Sequence, residues 1–324
     1  MLTLFDDMYD RAYVLTPEFE PALDFCKKQQ DSLWTSEEIR VDLDKHEMLT
    51  GTSEAEKHAL LTVLKTFTHY EVRAGSNYWL STILNTFAPI EIKRMASMFG
   101  YVENCVHAPF YNALNEALFI NDYAHYTEYL KDPILKKHIE TVDDIISDSD
   151  LLTSIGSFSL IEGGALYSAF AVLKGFRHNG YNKMGNIANG VNFSERDESL
   201  HADAGAWLYH LTKKYGGNTV RGSHCVEHIT ANAKALLAHE DHIIKLIFEK
   251  GSFCGLTEED TQLWVRERFN KCLANLGIDA ISSNNRKSNI SKWFGSYSAV
   301  RTDFFDAVPM YKRGVAVESF NIQF

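Results

Sequence analysis

Six ionisable side chains of this chain fall inside apolar, helix-periodic stretches, where water cannot solvate them. Glu71 lies in Phe67-Thr68-His69-Tyr70-Glu71-Val72. Glu103 and His107 lie in Gly100-Tyr101-Val102-Glu103-Asn104-Cys105-Val106-His107. Glu162 lies in Phe158-Ser159-Leu160-Ile161-Glu162-Gly163-Gly164-Ala165-Leu166, and Glu198 and His201 in Arg196-Asp197-Glu198-Ser199-Leu200-His201. A buried carboxylate costs several kcal/mol unless it is paired or bound to a metal, so four such places in one chain demand a common compensation. Helical spacing supplies one. Residues three or four apart share a helix face, so each Glu/His pair can present a carboxylate and an imidazole to one point. Two pairs serve two cations, while Glu71 and Glu162 add further ligands and bridges. The four carboxylates carry a charge of about −4, which balances two divalent ions. Oxygen-rich ligation with one imidazole per ion suits iron or manganese better than structural zinc. A single Glu-x-x-His is common in helices and is usually a solvated pair. The whole set, ordered Glu, Glu/His, Glu, Glu/His on four successive long helices, is far more specific.

The remainder of the chain reads as helix after helix. With 6 prolines and 19 glycines in 324 residues, helix breakers are scarce. Thr16-Pro17-Glu18 has the form of a helix start, with Pro at the first helical position and an acid behind it. Thr35-Ser36-Glu37-Glu38 predicts a second start. Ser53-Glu54-Ala55-Glu56 opens a segment that runs to about Thr86, and Pro89 one that runs to about Ala117. Further helical patterns cover roughly 132–146, 149–176, 184–215, 222–250 and 257–276, with Gly216-Gly217, Gly251 and Gly277 at expected stops. His224-Cys225 with His228, and His239 with His242, read as solvated residues on polar helix faces. The net charge of −11 argues against a nucleic-acid partner. Five widely spaced cysteines with no C-x-x-C pair favour a reducing, cytoplasmic setting. Met1 to Tyr13 carries acids and no apolar core of a secretory signal, and no stretch of about 18 apolar residues is expected to span a membrane. From Ser282 to Asn289 the chain is polar, and after Phe305 it loses helical period. We divide it into a helical unit, 1–306, and a tail, 307–324. The tail is either a frayed terminus or a short docking peptide carrying Phe320, Ile322 and Phe324.

Several motifs resemble one family. Arg196-Asp197-Glu198-Ser199-Leu200-His201 is similar to R-D-E-x-x-H, and His107-Ala108-Pro109-Phe110-Tyr111 to H-x-x-x-Y, both found in the small subunit of class I ribonucleotide reductase. Ser32-Leu33-Trp34-Thr35-Ser36-Glu37-Glu38 resembles that family's Trp followed closely by a helix start. Glu56-Lys57-His58, with His58 thirteen residues before Glu71, resembles the run-in to its first ligand. The resemblance covers most of the chain. It implies an all-α, ferritin-like helical bundle with extra helices and a flexible C-terminal tail. It also implies two metal ions, iron and/or manganese, on Glu71, Glu103, His107, Glu162, Glu198 and His201. Tyr111 would be the site of a stable tyrosyl radical or its structural relic. Trp34 and Asp197 would carry the radical outward, with Asp197 hydrogen-bonded to His107, and Tyr311 is the relay candidate in the tail. The tail would dock on the large catalytic subunit, and the small subunit would be a homodimer. Each of these also has a plainer reading: Trp34 and Tyr111 as core residues, Asp197 as an orienter of His107 alone.

Two positions depart from the family pattern. Glu103 precedes His107 by four residues where three is usual, and Asn104 occupies the position three before. Either a π-bulge absorbs the extra residue or Asn104 has replaced the carboxylate; charge balance favours Glu103. The first ligand is Glu71 where many members have Asp, which leaves a metal-based oxidant open beside a Tyr111 radical. Rival readings of the whole chain are a stand-alone ferritin-like oxidase acting on a small ligand, a metal-storage bundle, and a bundle without metal.

Overall fold

The computed structural model of this chain describes residues 18–118, 127, 131–215, 224–282 and 286–295. Tyr311, the 307–324 tail, Thr16-Pro17 and Gly216-Gly217 lie outside them. Among the described residues the chain is helical throughout, apart from loops and a single isolated bridge between Phe253 and Leu256.

Helix α1 spans Glu20–Asp31 and buries Ala22, Cys26 and Gln29 on one stripe. Its start corrects the expectation at Pro17-Glu18: the Glu18 amide donates to Glu91 Oε1 (3.2 Å), the helix begins two residues later, and Pro21 is the proline in its first turn. The start expected at Thr35 is also corrected. Ser36–Glu38 makes one 3₁₀ turn, Ile39 is extended, and helix α2 is Val41–Thr50. Trp34 and Ile39 are both buried on either side of that turn, so the chain must fold back before a longer helix can form.

The other helices follow the sequence pattern closely. Helix α3 begins as Glu54–Val72, widens into a π-helix over Arg73–Ile83 and closes with Leu84–Thr86. Helix α4 runs Ile90–Val102, widens over Glu103–His107 and continues as Ala108–Ala117. Helix α5 is Pro133–Ile146, with Asp132 capping its first amides. Helix α6 is Leu151–Leu160, widened over Ile161–Ala165 and continued by Tyr167–Gly175. Helix α7 is Gly185–Tyr215, α8 is Cys225–Ile247 and α9 is Glu258–Asn275.

Helix α6 is the axis of the molecule. It packs against α5, α7, α8 and α9. The stretch Leu151–Gly175 is in fact long and apolar enough to cross a membrane, contrary to the expectation from sequence, but its apolar window is wholly buried in the protein. Close approach depends on glycine here. A Cβ on Gly163 would sit 2.4 Å from Cys272 Sγ and 3.1 Å from Ala202 Cβ, so α6, α7 and α9 meet only because that side chain is absent. Helix α2 positions α7 by charge: Asp44 accepts from the Ile187 amide and Asn186 (2.8 and 2.7 Å), and Glu47 from the Met184 amide (2.6 Å). These carboxylates satisfy amides at the helix start that have no partner within the helix.

The minor histidine readings need adjustment. His224 is exposed and paired with Glu227 (2.6 Å), but Cys225 beside it is buried. His239 is half-buried and has a partner inside the protein: its Nδ1 lies 3.1 Å from Nδ1 of the buried His138 on α5. His242 faces Asp132 at 3.1 Å.

Glu56 ties three segments together. Its carboxylate accepts from the Ser53 amide (2.7 Å), Lys183 Nζ (2.9 Å) and Cys254 Sγ (3.1 Å), completing a capping box at the start of α3. Burial works against its charge, but the Ser53 amide, Lys183 and Cys254 outweigh burial and hold the carboxyl down at about 2. A depressed folded pKa contributes stability above the unfolded value of 4.5, lost as pH falls toward 2. Glu56→Gln should therefore be about 2–3 kcal/mol less stable than wild type at neutral pH. In urea titrations of the metal-free proteins this gap closes between pH 4.5 and 2.

Candidate metal centre

The six ionisable residues singled out in the sequence come together in one fully buried place. Helix α3 brings Glu71, α4 brings Glu103 and His107, α6 brings Glu162, and α7 brings Glu198 and His201; none is more than 1% exposed. On one side His107 Nδ1 meets Glu71 (3.3 Å), Glu103 (3.2 Å) and Glu198 (3.0 Å). On the other, His201 Nδ1 meets Glu103 (2.7 Å), Glu198 (3.6 Å) and Glu162 (3.9 Å). The ligand-capable atoms thus fall into two groups, Glu71/Glu103/His107/Glu198 and Glu103/Glu162/Glu198/His201, each within 4.8 Å. Glu103 and Glu198 belong to both, one oxygen toward each imidazole. Glu103 and Glu198 are therefore the carboxylates placed to bridge two cations, a part that the sequence pattern had given to Glu71 and Glu162.

Local helix geometry sets this register. Three of the four contributing helices widen to π at or beside their acid: just after Glu71, from Glu103 to His107, and around Glu162. The extra residue per turn absorbs the four-residue spacing of Glu103 and His107, so both face inward. Asn104 points away, half-buried, accepting a hydrogen bond from Ser76 (3.0 Å) and lying against Gly75, where a Cβ would be 2.6 Å from its side chain.

The donor set fits cations. Five carboxylate oxygens of the cluster (Glu71 Oε1, Glu103 Oε1, Glu162 Oε2 and both of Glu198) and His201 Nδ1 are buried without a hydrogen-bond partner. They stand close to one another yet lack donor geometry, an expensive arrangement for atoms that serve nothing but one another. The remote ring nitrogens are satisfied: His107 Nε2 meets Asp197 Oδ2 (3.3 Å) and His201 Nε2 meets Gln29 Oε1 (3.1 Å). Partners of this kind fix the ring and its tautomer, leaving Nδ1 free toward the centre.

Asp197 also accepts from Trp34 Nε1 (2.8 Å) and from Arg196 (3.2 Å). Trp34, Asp197 and His107 thus form one hydrogen-bonded chain, and the Trp34 ring lies 5.9 Å from that of His107. Burial alone would raise the Asp197 carboxyl, but His107 and Arg196 hold it low. Tyr111, one turn beyond His107, is fully buried and donates to Ser194 Oγ (3.0 Å). Burial and the charge of Glu71 push its phenol well above the ordinary range, so it is neutral.

Three supporting residues were not singled out from sequence: Gln29, Trp79 and Ser194. Trp79 donates from Nε1 to Glu162 Oε1 (3.2 Å), leaving Oε2 toward the cluster. Gln29 alone left a trace, since it occupies a core position in the Ala22–Cys26–Gln29 stripe of α1 where an apolar residue would be expected.

Without cations the cluster neutralises itself. Burial, then the charges of Glu103 and Glu198 respectively, push Glu71 and Glu162 well above the carboxylate range. Burial opposes charge on Glu103 and Glu198 as well, but the two imidazoles hold Glu103 down, and the Glu162 carboxyl together with both imidazoles holds Glu198 down. Burial also opposes charge on the imidazoles, yet Glu103 and its neighbours raise His107 well above its usual value and His201 to about 9.

A small cavity (≈ 10 Å³) adjoins the cluster on the side of Glu71 and Glu162, walled by Tyr70, Ala74, Val142, Phe158, Ile161 and Leu166.

Fold and site together define a ferritin-like helical bundle with a buried carboxylate–histidine site proportioned for two cations. Comparison with known proteins makes the assignment specific. The family model "Ribonucleotide reductase, small chain" matches residues 11–289, and the chain belongs to that family. It is 26% identical over 291 residues to the probable ribonucleoside-diphosphate reductase small subunit 048L of Invertebrate iridescent virus 3, covering 83% of this chain and 76% of the viral protein. Among solved structures it resembles a putative class I ribonucleotide reductase from Bacillus halodurans (TM-score 0.76, 19% identity, 86% of this chain and 100% of that one). It also resembles the dimanganese(II) NrdF of Streptococcus sanguinis (TM-score 0.71, 19% identity, 85% and 94%).

Loading the site displaces the protons that neutralise it. Binding of two divalent ions to the metal-free protein at neutral pH should release up to four protons, from Glu71, Glu162, His107 and His201, and affinity should rise with pH. Titration calorimetry in buffers of different ionisation enthalpy counts them. Uptake without proton release would contradict this account of the cluster.

Proposed function

We propose that this chain, a ribonucleotide reductase small chain, makes and holds the oxidising equivalent that a large catalytic subunit uses to reduce ribonucleotides. The single observation that carries the reading is the convergence of five partnerless buried carboxylate oxygens and one imidazole nitrogen in an otherwise apolar interior. Glu71, Glu103, His107, Glu162, Glu198 and His201 would hold two metal ions, iron or manganese or one of each. When bound, such ions supply one-electron redox chemistry with dioxygen or a reduced oxygen species.

The protein's own groups then have separate tasks. Glu103 and Glu198, which belong to both groups, would be shared by the two ions. Asp197, Gln29 and Trp79 hold His107, His201 and Glu162 in orientation. The apolar walls keep bulk water from the centre. Trp34 is the exit for the hole: its indole N–H already donates to Asp197, so loss of an electron from the ring can be matched by a proton shift toward that carboxylate. Tyr111, neutral and hydrogen-bonded to Ser194, either stores the radical or stands beside a metal-based oxidant. Beyond Trp34 the relay continues through Tyr311 in the tail, and residues 307–324 dock on the large subunit. Homodimerisation and a cytoplasmic location accord with the family and with five unpaired cysteines.

Elemental analysis combined with electron paramagnetic resonance, after activation with each metal, tests the centre. Wild type should hold two ions per chain. Glu103→Ala and Glu198→Ala, which remove atoms common to both ion positions, should lose both, whereas Glu71→Ala and Glu162→Ala should each keep about one. Equal losses in all four variants would refute the bridging assignment.

Trp34→Phe separates making the oxidant from exporting it. The variant should bind metal and form its oxidant normally, yet lose ribonucleotide reduction with the large subunit by at least about 100-fold, since phenylalanine is far harder to oxidise and gives Asp197 no proton. Deleting 307–324 should give the same phenotype through loss of binding. A stand-alone oxidase would keep full turnover in both.

A further inference from the structure

Away from the metal ligands, Glu240 is the most deeply buried carboxyl among the described residues that has no ion pair. Glu240, on the inner face of α8, is 1% exposed. It accepts a hydrogen bond from Ser168 Oγ on α6 (2.6 Å). It also lines a second small cavity (≈ 10 Å³) with Val63, Tyr70, Leu166, Ser168 and Ile243. Tyr70 and Leu166 wall both this cavity and the one beside the carboxylate cluster. The Tyr70 hydroxyl is buried without a hydrogen-bond partner. A void of this size holds about one water, and a water needs two to four polar partners. Tyr70, Ser168 and Glu240 supply them.

We infer that Glu240 is an internal proton donor for the metal centre, feeding the carboxylate cavity through one water held among Tyr70, Ser168 and Glu240. The inference rests on the metal-centre reading above. Burial, reinforced by neighbouring Asp241, raises the Glu240 carboxyl to about 8 despite the Ser168 hydrogen bond, so at neutral pH it carries a proton. The groups turned toward this part of α8 are few. Helix α6 gives Ser168, and α3 gives Tyr70. Helix α9 gives Arg266, which is spent on Asp241 (2.6 Å), and α5 gives His138, which is paired with His239. None of them is a cation free to pair with a Glu240 carboxylate. In the transfer, the Glu240 O–H bond breaks and its proton passes to the cavity water. That water gives one of its own protons to the Tyr70 hydroxyl oxygen, and Tyr70, which walls both cavities, releases its own proton into the carboxylate cavity, where bound divalent ions would supply the electrons for dioxygen reduction. Glu240 is left as a carboxylate hydrogen-bonded by Ser168. One stored proton suits an event that happens once per activation.

The test uses the full-length protein, Fe(II) and dioxygen. Infrared spectra of wild type should show the carbonyl band of a protonated carboxyl that titrates near pH 8. Glu240→Gln keeps the shape and the Ser168 contact but should lose that band. Ser168→Ala removes a group that stabilises the carboxylate, so it should move the titration to higher pH. With metal content unchanged, Glu240→Gln should form the oxidant at least about tenfold more slowly at neutral pH and lose the inflection near pH 8. A merely structural role would lower stability and leave the pH profile in place. A missing band in wild type, or a wild-type rate and profile in Glu240→Gln, overturns the inference about Glu240. Failure of wild type to bind either Fe(II) or Mn(II) overturns the metal-centre reading instead, while the infrared band still reports on the acid.

Discussion

Four carboxylates held against one another in an apolar interior set the terms for the rest of this molecule. Each would rather be in water, and together they repel. Without cations the protein answers with two protonated acids and two charged imidazoles. With two divalent ions the same atoms reach neutrality with no protons on the acids. Both states are balanced, but only the second gives a partner to the oxygens that otherwise have none. The neighbours hold the cluster in this arrangement: Asp197, Gln29 and Trp79 each occupy the far side of a cluster residue and fix the near side.

Keeping four helices close enough for this requires departures from regular geometry. The π segments in α3, α4 and α6 rotate the chain so that Glu71, Glu103 with His107, and Glu162 face one point. Widened turns also need room outside. Gly75 lets α3 lie against Asn104 of α4, and Gly163 lets α6 lie against Cys272 and Ala202. These small residues beside the acids thus have a packing role that follows from the coordination geometry. Helix α7 needs no widening, because Glu198 and His201 are three apart on a regular helix. Its placement comes from the α2 carboxylates at its first turn.

Much of this was legible in the sequence, for a physical reason. Acids inside apolar helical stretches are costly enough to announce a function, and helical period then says which of them share a face. The choice of Glu103 over Asn104 followed from charge balance, and the π-bulge that reconciles it with His107 is present. What the sequence hid were contacts between distant segments. The Trp79 indole meets Glu162 across 83 residues, and Gln29 meets His201 across 172. No local signal marks either partner except that Gln29 interrupts an apolar stripe. Tertiary ties also displaced local rules. Glu91 takes the Glu18 amide, moving the first helix start past the residue that capping preferences chose. His239 looked solvated because its partner, His138, comes from another helix.

The surroundings of the cluster are not symmetrical, and the asymmetry sorts the chemistry. On the His107 side, polar and aromatic groups are linked outward: His107 to Asp197, Asp197 to Trp34, with Phe110 and Phe193 around the indole. That side can pass an electron and a proton together, because each member is hydrogen-bonded to the next. On the side of Glu71 and Glu162 the walls are Ala74, Val142, Phe158, Ile161 and Leu166, with the Tyr70 ring as the one polar-tipped member, and they enclose a space of about one water. The first side is built from the Trp34 turn, α4 and α7; the second is walled mainly by α3, α5 and α6, with Glu103 of α4 and Glu198 of α7 at its edge. On the proposed function, a hole leaving through Trp34 would not need to cross that cavity. The separation follows from which helices carry which acids, so the order of acids along the chain already dictates it.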